Sequence, residues 1–292
     1  MNGLLTLISF YSICNNKQHT HNIFILDWWG FYLAYEGLQF IYDGIPSQRY
    51  GLMFAFFDSA DYKHAGGSEN SLTIDKATRS QRHTLLSVSP DDPLEYDIEV
   101  VALKPLQPYE VNAVHAWLCG QLSFKKLVIQ APEYAGMHFN CVFNEPDDYY
   151  IKAGTNGFNL TMTCDAGGAW SDAKTVTFTP TDGGTITVNN RSASYDYLYP
   201  TVEFTLDGGT EFSIINTTDS ATREFKFTEL ADGETITVNG RTGEVMSSLG
   251  TIRINNFNAH FLRLIHGLNT LKCTGKVSNL KLTYENFIRI GG

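Results

Sequence analysis

Short runs in which apolar and polar residues alternate recur along the chain, and Gly, Pro, Asn or Asp residues separate them. The clearest run is Leu94–Leu103, where Tyr96, Ile98 and Val100 occupy every second position before Pro105. Alternation at period two is typical of strands with one buried face, and Pro ends such strands. The sequence therefore predicts a mainly β protein.

One segment has the spacing of a helix instead. Pro108 suits a first helical turn and Gly120 suits a helix end, which predicts a helix over about residues 108–119. Four apolar residues fall on one face of it: Val111, Val114, Trp117 and Leu118. Before it, the polar stretch over about residues 61–81 predicts a long loop or a projecting hairpin.

The chain is long enough for two domains, since 292 residues with 43% hydrophobic content can bury two ordinary cores. Near Asp165–Trp170 the pattern changes to short strands and polar turns at the spacing of a β-sandwich. We therefore predict an N-terminal β domain over residues 38–168 and a C-terminal β-sandwich over residues 169–292. Residues 1–37 form an extension of unknown role, which fits an arm packed on a neighbouring subunit or a start codon placed too far upstream.

A short repeat occurs inside the C-terminal half. Asp182–Asn190 and Asp232–Gly240 share an Asp-Gly turn followed by Thr-Ile-Thr-Val-Asn. A repeat of functional units would need more than two short copies, so we interpret them as similar turn-and-strand segments in one sheet.

The charge balance argues against tight nucleic-acid binding. Lys and Arg number 21 against 31 Asp and Glu, a formal net charge of −10, and no basic cluster is present. An acidic surface can still line a channel through which DNA slides, because repulsion prevents sticking. The five Cys residues contain no Cys-x-x-Cys pair, which favours buried free thiols over a zinc or redox site.

The sequence favours a protein that is not an enzyme, with no catalytic, cofactor-binding or metal-binding residues. It lacks the compact motifs of serine hydrolases, P-loop enzymes and zinc proteases. His19 and His21 have no third ligand at a recognisable spacing. Asp91–Asp92 and Asp147–Asp148 each adjoin a Pro and fit loop capping better than a glycosidase pair, although a carboxylate-dependent wall hydrolase stays an alternative.

The strongest candidates for binding are aromatic. Tyr195, Tyr197 and Tyr199 occupy alternate positions before Pro200, which places three rings on one side of an extended segment. Such a stripe can stack against sugars, or it can be the seam where two domains or subunits meet, and the shared side favours the seam. Trp170, at the predicted domain boundary, has the same two interpretations.

Taken in order, the motifs resemble the distal tail protein family of long-tailed bacteriophages over about residues 38–285. The first half contributes Phe40–Ser47, Tyr50–Leu52, Leu94–Val100, Trp117–Leu118, Leu127–Ile129, Asn156–Thr161, Cys164 and Ala169–Trp170. The second half contributes Tyr197–Pro200, Asp232–Val238, Asn256–Asn258 and Leu264–Asn269. Ile265–Gly267 stands where the family often has a proline, and residues 1–37 have no counterpart.

This resemblance implies a homo-hexameric ring at the tail tip of the virion, made in the cytoplasm of the host bacterium. The ring would join the tail tube protein above to a hub or lysin protein and to receptor-binding proteins or fibres below, with DNA passing through unbound. The first domain would form the ring. Residues 61–81 are the candidate for the long loop that contacts the neighbouring subunits and holds them together. The second domain would be a galectin-like or carbohydrate-module-like sandwich that faces outward. Family members use it to dock partners or to touch host glycans.

Overall fold

A computed structural model describes residues 21–26, 32–55, 70–76, 83–90, 93–151, 155–194 and 196–290. The described residues are mainly β with one α-helix, so the predicted fold class is confirmed at that level. They divide into two compact units. The first runs to Ala169 and includes Arg289 and Ile290, and the second is Trp170–Ile288.

Antiparallel pairing builds the first unit. Its strands are β1 (His21–Leu26), β2 (Tyr32–Leu38), β3 (Phe40–Tyr42), β4 (Ile45–Pro46), β5 (Leu52–Ala55), β6 (Asn70–Lys76), β7 (His83–Pro90), β8 (Glu95–Ala102), β9 (Lys125–Ile129), β10 (Met137–Ile151) and β11 (Thr155–Cys164). The main sheet has the order β1-β2-β5-β8-β11-β10-β9-β3-β4. Short 3-10 helices span Ser47–Tyr50 and Pro132–Tyr134. The end of the predicted extension is therefore strand β2, which pairs with β5.

The helix α1 (Pro108–Leu118) begins at a capping box, in which the Gln107 N–H donates to the Glu110 carboxylate at 2.8 Å. It buries Val114, Trp117 and Leu118, which share a face at helical spacing. The Trp117 indole N–H donates to the backbone oxygen of Tyr42 at 3.1 Å. The apolar face thus holds the helix on the sheet.

An aromatic cluster forms the centre of this core. The Phe40 ring stacks on Phe54 at 4.0 Å and on Trp117 at 6.0 Å, and Tyr42 meets Phe143 edge-on at 4.9 Å. Burial raises the pKa of Tyr42 far above its ordinary value, so its hydroxyl stays protonated. Motifs that lie far apart in the sequence therefore meet in one packed cluster.

Strands β6 and β7 form a two-stranded sheet of their own, separate from the main sheet. The hairpin exposes Ile74, Leu85 and Leu86, and the Leu86 side chain is 60% exposed. Strand β6 lies within the predicted segment 61–81 and β7 lies beyond it, while residues 61–69 and 77–82 fall outside the described residues.

The second unit is a sandwich of two antiparallel sheets. Its strands are β12 (Ala169–Ser171, at the boundary), β13 (Lys174–Phe178), β14 (Thr185–Asn190), β15 (Thr201–Leu206), β16 (Phe212–Asn216), β17 (Glu224–Phe227), β18 (Thr235–Asn239), β19 (Val245–Ser247), β20 (Gly267–Thr274), β21 (Val277–Tyr284) and β22 (Phe287–Ile288). One sheet of the sandwich has the order β13-β21-β15-β18-β19 and the other β14-β20-β16-β17, while β12 and β22 pair with each other outside both sheets. A 3-10 turn spans Ile254–Asn256.

Phenylalanine rings fill the space between these sheets. Phe204 on the first sheet meets Phe212 and Phe227 on the second at centroid distances of 4.6 and 5.8 Å. Phe257 stacks on Phe227 at 4.6 Å and closes one side of the cluster. Each sheet thus buries its alternate apolar side chains against the other.

The two repeated segments do not share a sheet, so that prediction was wrong. Strand β14 belongs to the four-stranded sheet and β18 to the five-stranded one. In each copy the turn carboxylate accepts a backbone N–H from an adjacent loop. Asp182 accepts from Gly275 at 2.8 Å, and Asp232 accepts from Gly208 at 2.6 Å. The shared sequence therefore forms the same turn and strand in both copies. The sheet to which each strand belongs depends on its pairing partner, which is β20 for β14 and β15 for β18.

Candidate functional site

The predicted tyrosine stripe lies on the second unit, at the bridge between Leu198 and Leu264. Tyr195 falls outside the described residues. The Leu198 N–H donates to the Leu264 oxygen at 3.0 Å, and the Leu264 N–H donates to the Leu198 oxygen at 2.8 Å. This single bridge places Tyr197 and Tyr199 on the same side, with their rings 6.5 Å apart. The Tyr197 side chain is 43% exposed.

Arg263 and Asp219 complete this cluster, and sequence reasoning missed both. The Arg263 guanidinium carbon lies 3.9 Å from the centre of the Tyr197 ring, within cation–π range. Its Nε donates to Asp219 Oδ2 at 2.7 Å and its Nη2 to Oδ1 at 3.3 Å. The hydrogen bond to Asp219 raises the pKa of Arg263. The guanidinium is thereby fixed in a permanently charged form against the aromatic ring.

Three buried asparagines hold the backbone that carries Arg263. Asn216 donates to the Arg263 oxygen at 2.9 Å and to Asn269 Oδ1 at 2.8 Å. Asn269 donates to the Ile265 oxygen at 2.9 Å and accepts the Ile265 N–H at 2.9 Å. Asn190 donates to the same Ile265 oxygen at 3.2 Å. Because buried amides are costly to leave without partners, this network makes the surface rigid.

Trp170 contacts a different set of side chains. The Arg241 guanidinium carbon lies 5.1 Å from its ring centre, and Phe287 meets it edge-on at 5.7 Å. Arg241 also forms an ion pair with Glu285 at 3.5 Å. The indole is half-buried, so these neighbours already cover part of it.

Of the two predicted acidic pairs, only Asp147–Asp148 lies within the described residues. Asp147 and Asp148 lie on β10 opposite Asn159 and Phe158, while His19 and the pair at 91–92 fall outside the described residues. Across the described ranges, no three His, Cys, Asp or Glu side chains are grouped so that they could hold a metal ion. Within the same ranges, no helix is both long and apolar enough to cross a bilayer.

Among the described residues, Glu234 is the most deeply buried carboxylate, and sequence reasoning did not predict it. It accepts hydrogen bonds from Arg253 Nε and Nη2, both at 2.8 Å, from Ser247 Oγ at 2.6 Å and from the Ala231 N–H at 2.8 Å. Burial raises the pKa of Glu234, but these bonds, led by those from Arg253, lower it overall below its ordinary value. With its oxygens fully used, the carboxylate stabilises the loop around it.

Comparisons with known proteins agree on one kind of protein. Residues 35–166 match a family model described as a phage tail protein N-terminal domain, and residues 169–284 match a phage tail C-terminal domain. No curated protein matches the chain by sequence.

Among solved structures, the Dit protein of phage SPP1 superposes with a TM-score of 0.63 at 11% identity, covering 85% of this chain and 98% of that one. That protein is described as a paradigm of the hub adsorption apparatus of phages that infect Gram-positive bacteria. A chain of the phage P2 baseplate, in its activated conformation with Ca, superposes with a TM-score of 0.54 at 10% identity, covering 86% and 99%. At such identities the likeness concerns the fold.

Proposed function

We propose that this chain, which belongs to the phage tail protein family whose N- and C-terminal domain models it matches, is the distal tail protein of its virion. As a family member it is a structural component of a phage tail, and its fold is that of the SPP1 Dit protein across nearly the whole of that chain. We further propose that copies of the chain form a ring at the tail tip and that the protein is made in the bacterial cytoplasm. It would join the tail tube protein to a hub or lysin and to receptor-binding proteins or fibres.

The β6–β7 hairpin supports the proposal of a ring of identical subunits, and the family resemblance implies that the ring is a homo-hexamer. An isolated two-stranded sheet is at best marginally stable in water, and this one exposes Ile74, Leu85 and Leu86. Packing the hairpin on the next subunit would cover these side chains and order both strands. Repetition of one head-to-tail contact closes into a ring when the rotation allows it.

The charge of the chain suits a ring around a DNA path. A net charge of −10 repels the phosphate backbone, so DNA can pass without specific binding. Nothing in this role requires a reaction on a bound molecule, and we propose that the protein has no catalytic activity. A blank zymogram against peptidoglycan and polysaccharide is the expected result, and a clearing band would contradict it.

Mass photometry and negative-stain microscopy of the purified full chain test the ring. We expect a discrete hexamer, and we expect Leu85→Asp/Leu86→Asp to reduce it to monomer because two charges enter the proposed contact. Leu268→Asp is the matched control, since this exposed leucine lies on β20 in the other unit. A wild-type chain that stays monomeric at its highest soluble concentration, both alone and with the tail tube protein, would refute the ring.

The Tyr197 surface supports a second candidate function, the binding of host glycans by a galectin-like or carbohydrate-module-like C-terminal domain. The observation in its favour is an exposed tyrosine, fixed by Arg263 and by a buried amide network, beside charged groups that can bond sugar hydroxyls. On a glycan and cell-wall array we expect Tyr197→Ala to lose binding and Tyr109→Ala, at an exposed position on α1, to retain it. Equal signals from both variants, or none from the wild type, would leave the tyrosines as the seam between domains or subunits.

A further inference from the structure

Four large apolar side chains lie exposed within one short stretch of the second unit. They are Met246, Leu249, Ile252 and Ile254, and the Ile252 side chain is 80% exposed. Elsewhere in the described part of this unit, only Tyr197 and Leu268 are comparably exposed large hydrophobic residues. Concentrated apolar exposure of this kind marks an interaction surface on a soluble protein. We call residues 245–254 the apolar loop.

The apolar loop begins with strand β19, which forms an open sheet edge. Strand β19 ends the five-stranded sheet, and among the described strands it pairs with β18 alone. The Asn239 N–H donates to the Glu244 oxygen and the Ser248 N–H to the Thr235 oxygen, both at 2.9 Å. Along an antiparallel strand, the backbone N–H and C=O groups of successive residues point alternately toward the partner strand and away from it. Since Glu244 bonds to β18, the backbone N–H and C=O of Val245 point away from β18. A further strand can therefore pair with this edge.

The loop is held in place before anything binds to it. Glu234 accepts from both Ser247 and Arg253, and Arg253 Nη1 donates to the Glu229 oxygen at 3.1 Å. The Gly250 N–H donates to the Ser247 oxygen at 3.0 Å and closes the turn. These bonds fix the backbone while the apolar side chains point into solvent. A preformed surface loses little conformational entropy on binding, which favours affinity.

Charge indicates what kind of segment fits. Glu234 neutralises Arg253, so the centre of the surface has no net charge. Two exposed acidic residues adjoin this surface. The backbone oxygen of Glu229 accepts a hydrogen bond from Arg253, and Glu244 directly precedes Val245 in the sequence. A second copy of this acidic chain would be repelled by that rim, whereas lysines or arginines at the ends of an apolar segment would be attracted.

We propose that β19 and the apolar loop dock an extended segment of another virion protein, apolar at alternate positions and flanked by Lys or Arg. The segment adds a strand to the β19 edge and covers Met246 and Ile252. This inference rests on the proposed tail function for the class of partner but not on ring formation, since the surface lies within the second unit.

A displayed library of random peptides, selected on the immobilised full chain, tests the proposal. We expect enriched peptides with alternate apolar residues and basic flanks. Their synthetic versions should bind the wild type and Leu268→Asp equally, but Met246→Asp/Ile252→Asp at least about tenfold more weakly. Methylation of alternate backbone nitrogens in the peptide should also weaken binding, because it blocks strand pairing. If the double variant fails to fold, Ile252→Asp alone replaces it, since that side chain is largely in solvent.

Three results would overturn the proposal: no enriched peptide, peptides that bind all variants equally, or a wild-type dimer that Ile252→Asp abolishes, which would assign the surface to a second copy. Mass photometry separates this inference from the proposed ring. A monomeric chain refutes the ring while peptide binding to the apolar loop stays measurable.

Discussion

Removing one partner of the Glu234–Arg253 ion pair should destabilise the second unit strongly. Glu234 is fully buried, whereas 14% of the Arg253 side chain is exposed. Glu234→Ala deletes four hydrogen bonds and leaves a guanidinium without its carboxylate. Breaking a buried pair typically costs about 3–5 kcal/mol, and because Arg253 is partly exposed we expect this variant to cost about 3 kcal/mol.

The reverse substitution, Arg253→Ala, leaves the carboxylate buried without its cation, and we expect a cost of about 3–5 kcal/mol. Removal of both partners should cost less than the sum of the single changes, with a coupling energy of about 1–3 kcal/mol. A surface pair in the same unit provides the control. Lys281 and Glu203 also meet at 2.7 Å, but 40% and 34% of their side chains are exposed, so Glu203→Ala should cost under about 1 kcal/mol.

The pH dependence gives the reasoning an independent check. The folded pKa of Glu234 lies below its unfolded value of about 4.3, so the carboxylate stabilises the fold above that pH and this contribution is lost as pH falls through the folded pKa. Without Arg253 the folded pKa of Glu234 rises relative to the wild type. The cost of Arg253→Ala should therefore shrink as pH is lowered from about 7 towards about 4.

Urea unfolding followed by hydrogen exchange in peptides from β18 and β21 measures the stability of the second unit. Equal costs for Glu234→Ala and Glu203→Ala, or a cost of Arg253→Ala that grows as pH falls, would refute the assignment of the buried pair as a stabilising element.

Three further changes test other parts of the fold. Trp117→Phe removes the indole bond to the buried Tyr42 oxygen, and we expect a loss of about 1–3 kcal/mol in urea unfolding of the first unit. Gly275→Ala should lower the melting temperature, because this glycine has a φ of 98° and an added Cβ would lie 2.5 Å from the Glu211 oxygen. The Cys273 thiol should react with a thiol reagent only after unfolding, since burial raises its pKa to about 12; rapid reaction in the native protein would contradict that burial.

Local patterns in the sequence were enough to predict many of the elements. The alternation over Leu94–Leu103 is strand β8, and the Pro-led apolar spacing after residue 107 is helix α1. In both elements, the spacing of apolar residues along the chain shows which side chains face the core, so the sequence pattern is enough to predict them. The phage tail resemblance is confirmed for the family and the fold.

The candidate surfaces depend on contacts between distant parts of the chain, and no local pattern records those. Arg263 reaches Tyr197 because β-bridge pairing joins Leu198 to Leu264. For Glu234 the sequence contains one indication, because the second copy of the repeat has Glu234 where the first copy has Gly184. At Gly184 a Cβ would lie 2.5 Å from a threonine hydroxyl, whereas the second copy has room for a carboxylate with four donors.

The two exposed apolar surfaces are built differently, and this difference favours different roles. Among the described residues, the β6–β7 hairpin forms a sheet with no further strand, so covering Leu85 and Leu86 would bury apolar area and stabilise both strands. Hydrogen bonds to Glu234 already fix the apolar loop, so the surface is preformed before a segment binds there. An element ordered by its contact suits a permanent interface between identical subunits, and a preformed edge suits recognition of a separate chain. Charge substitutions at Leu86 and at Ile252 should therefore affect assembly and docking independently.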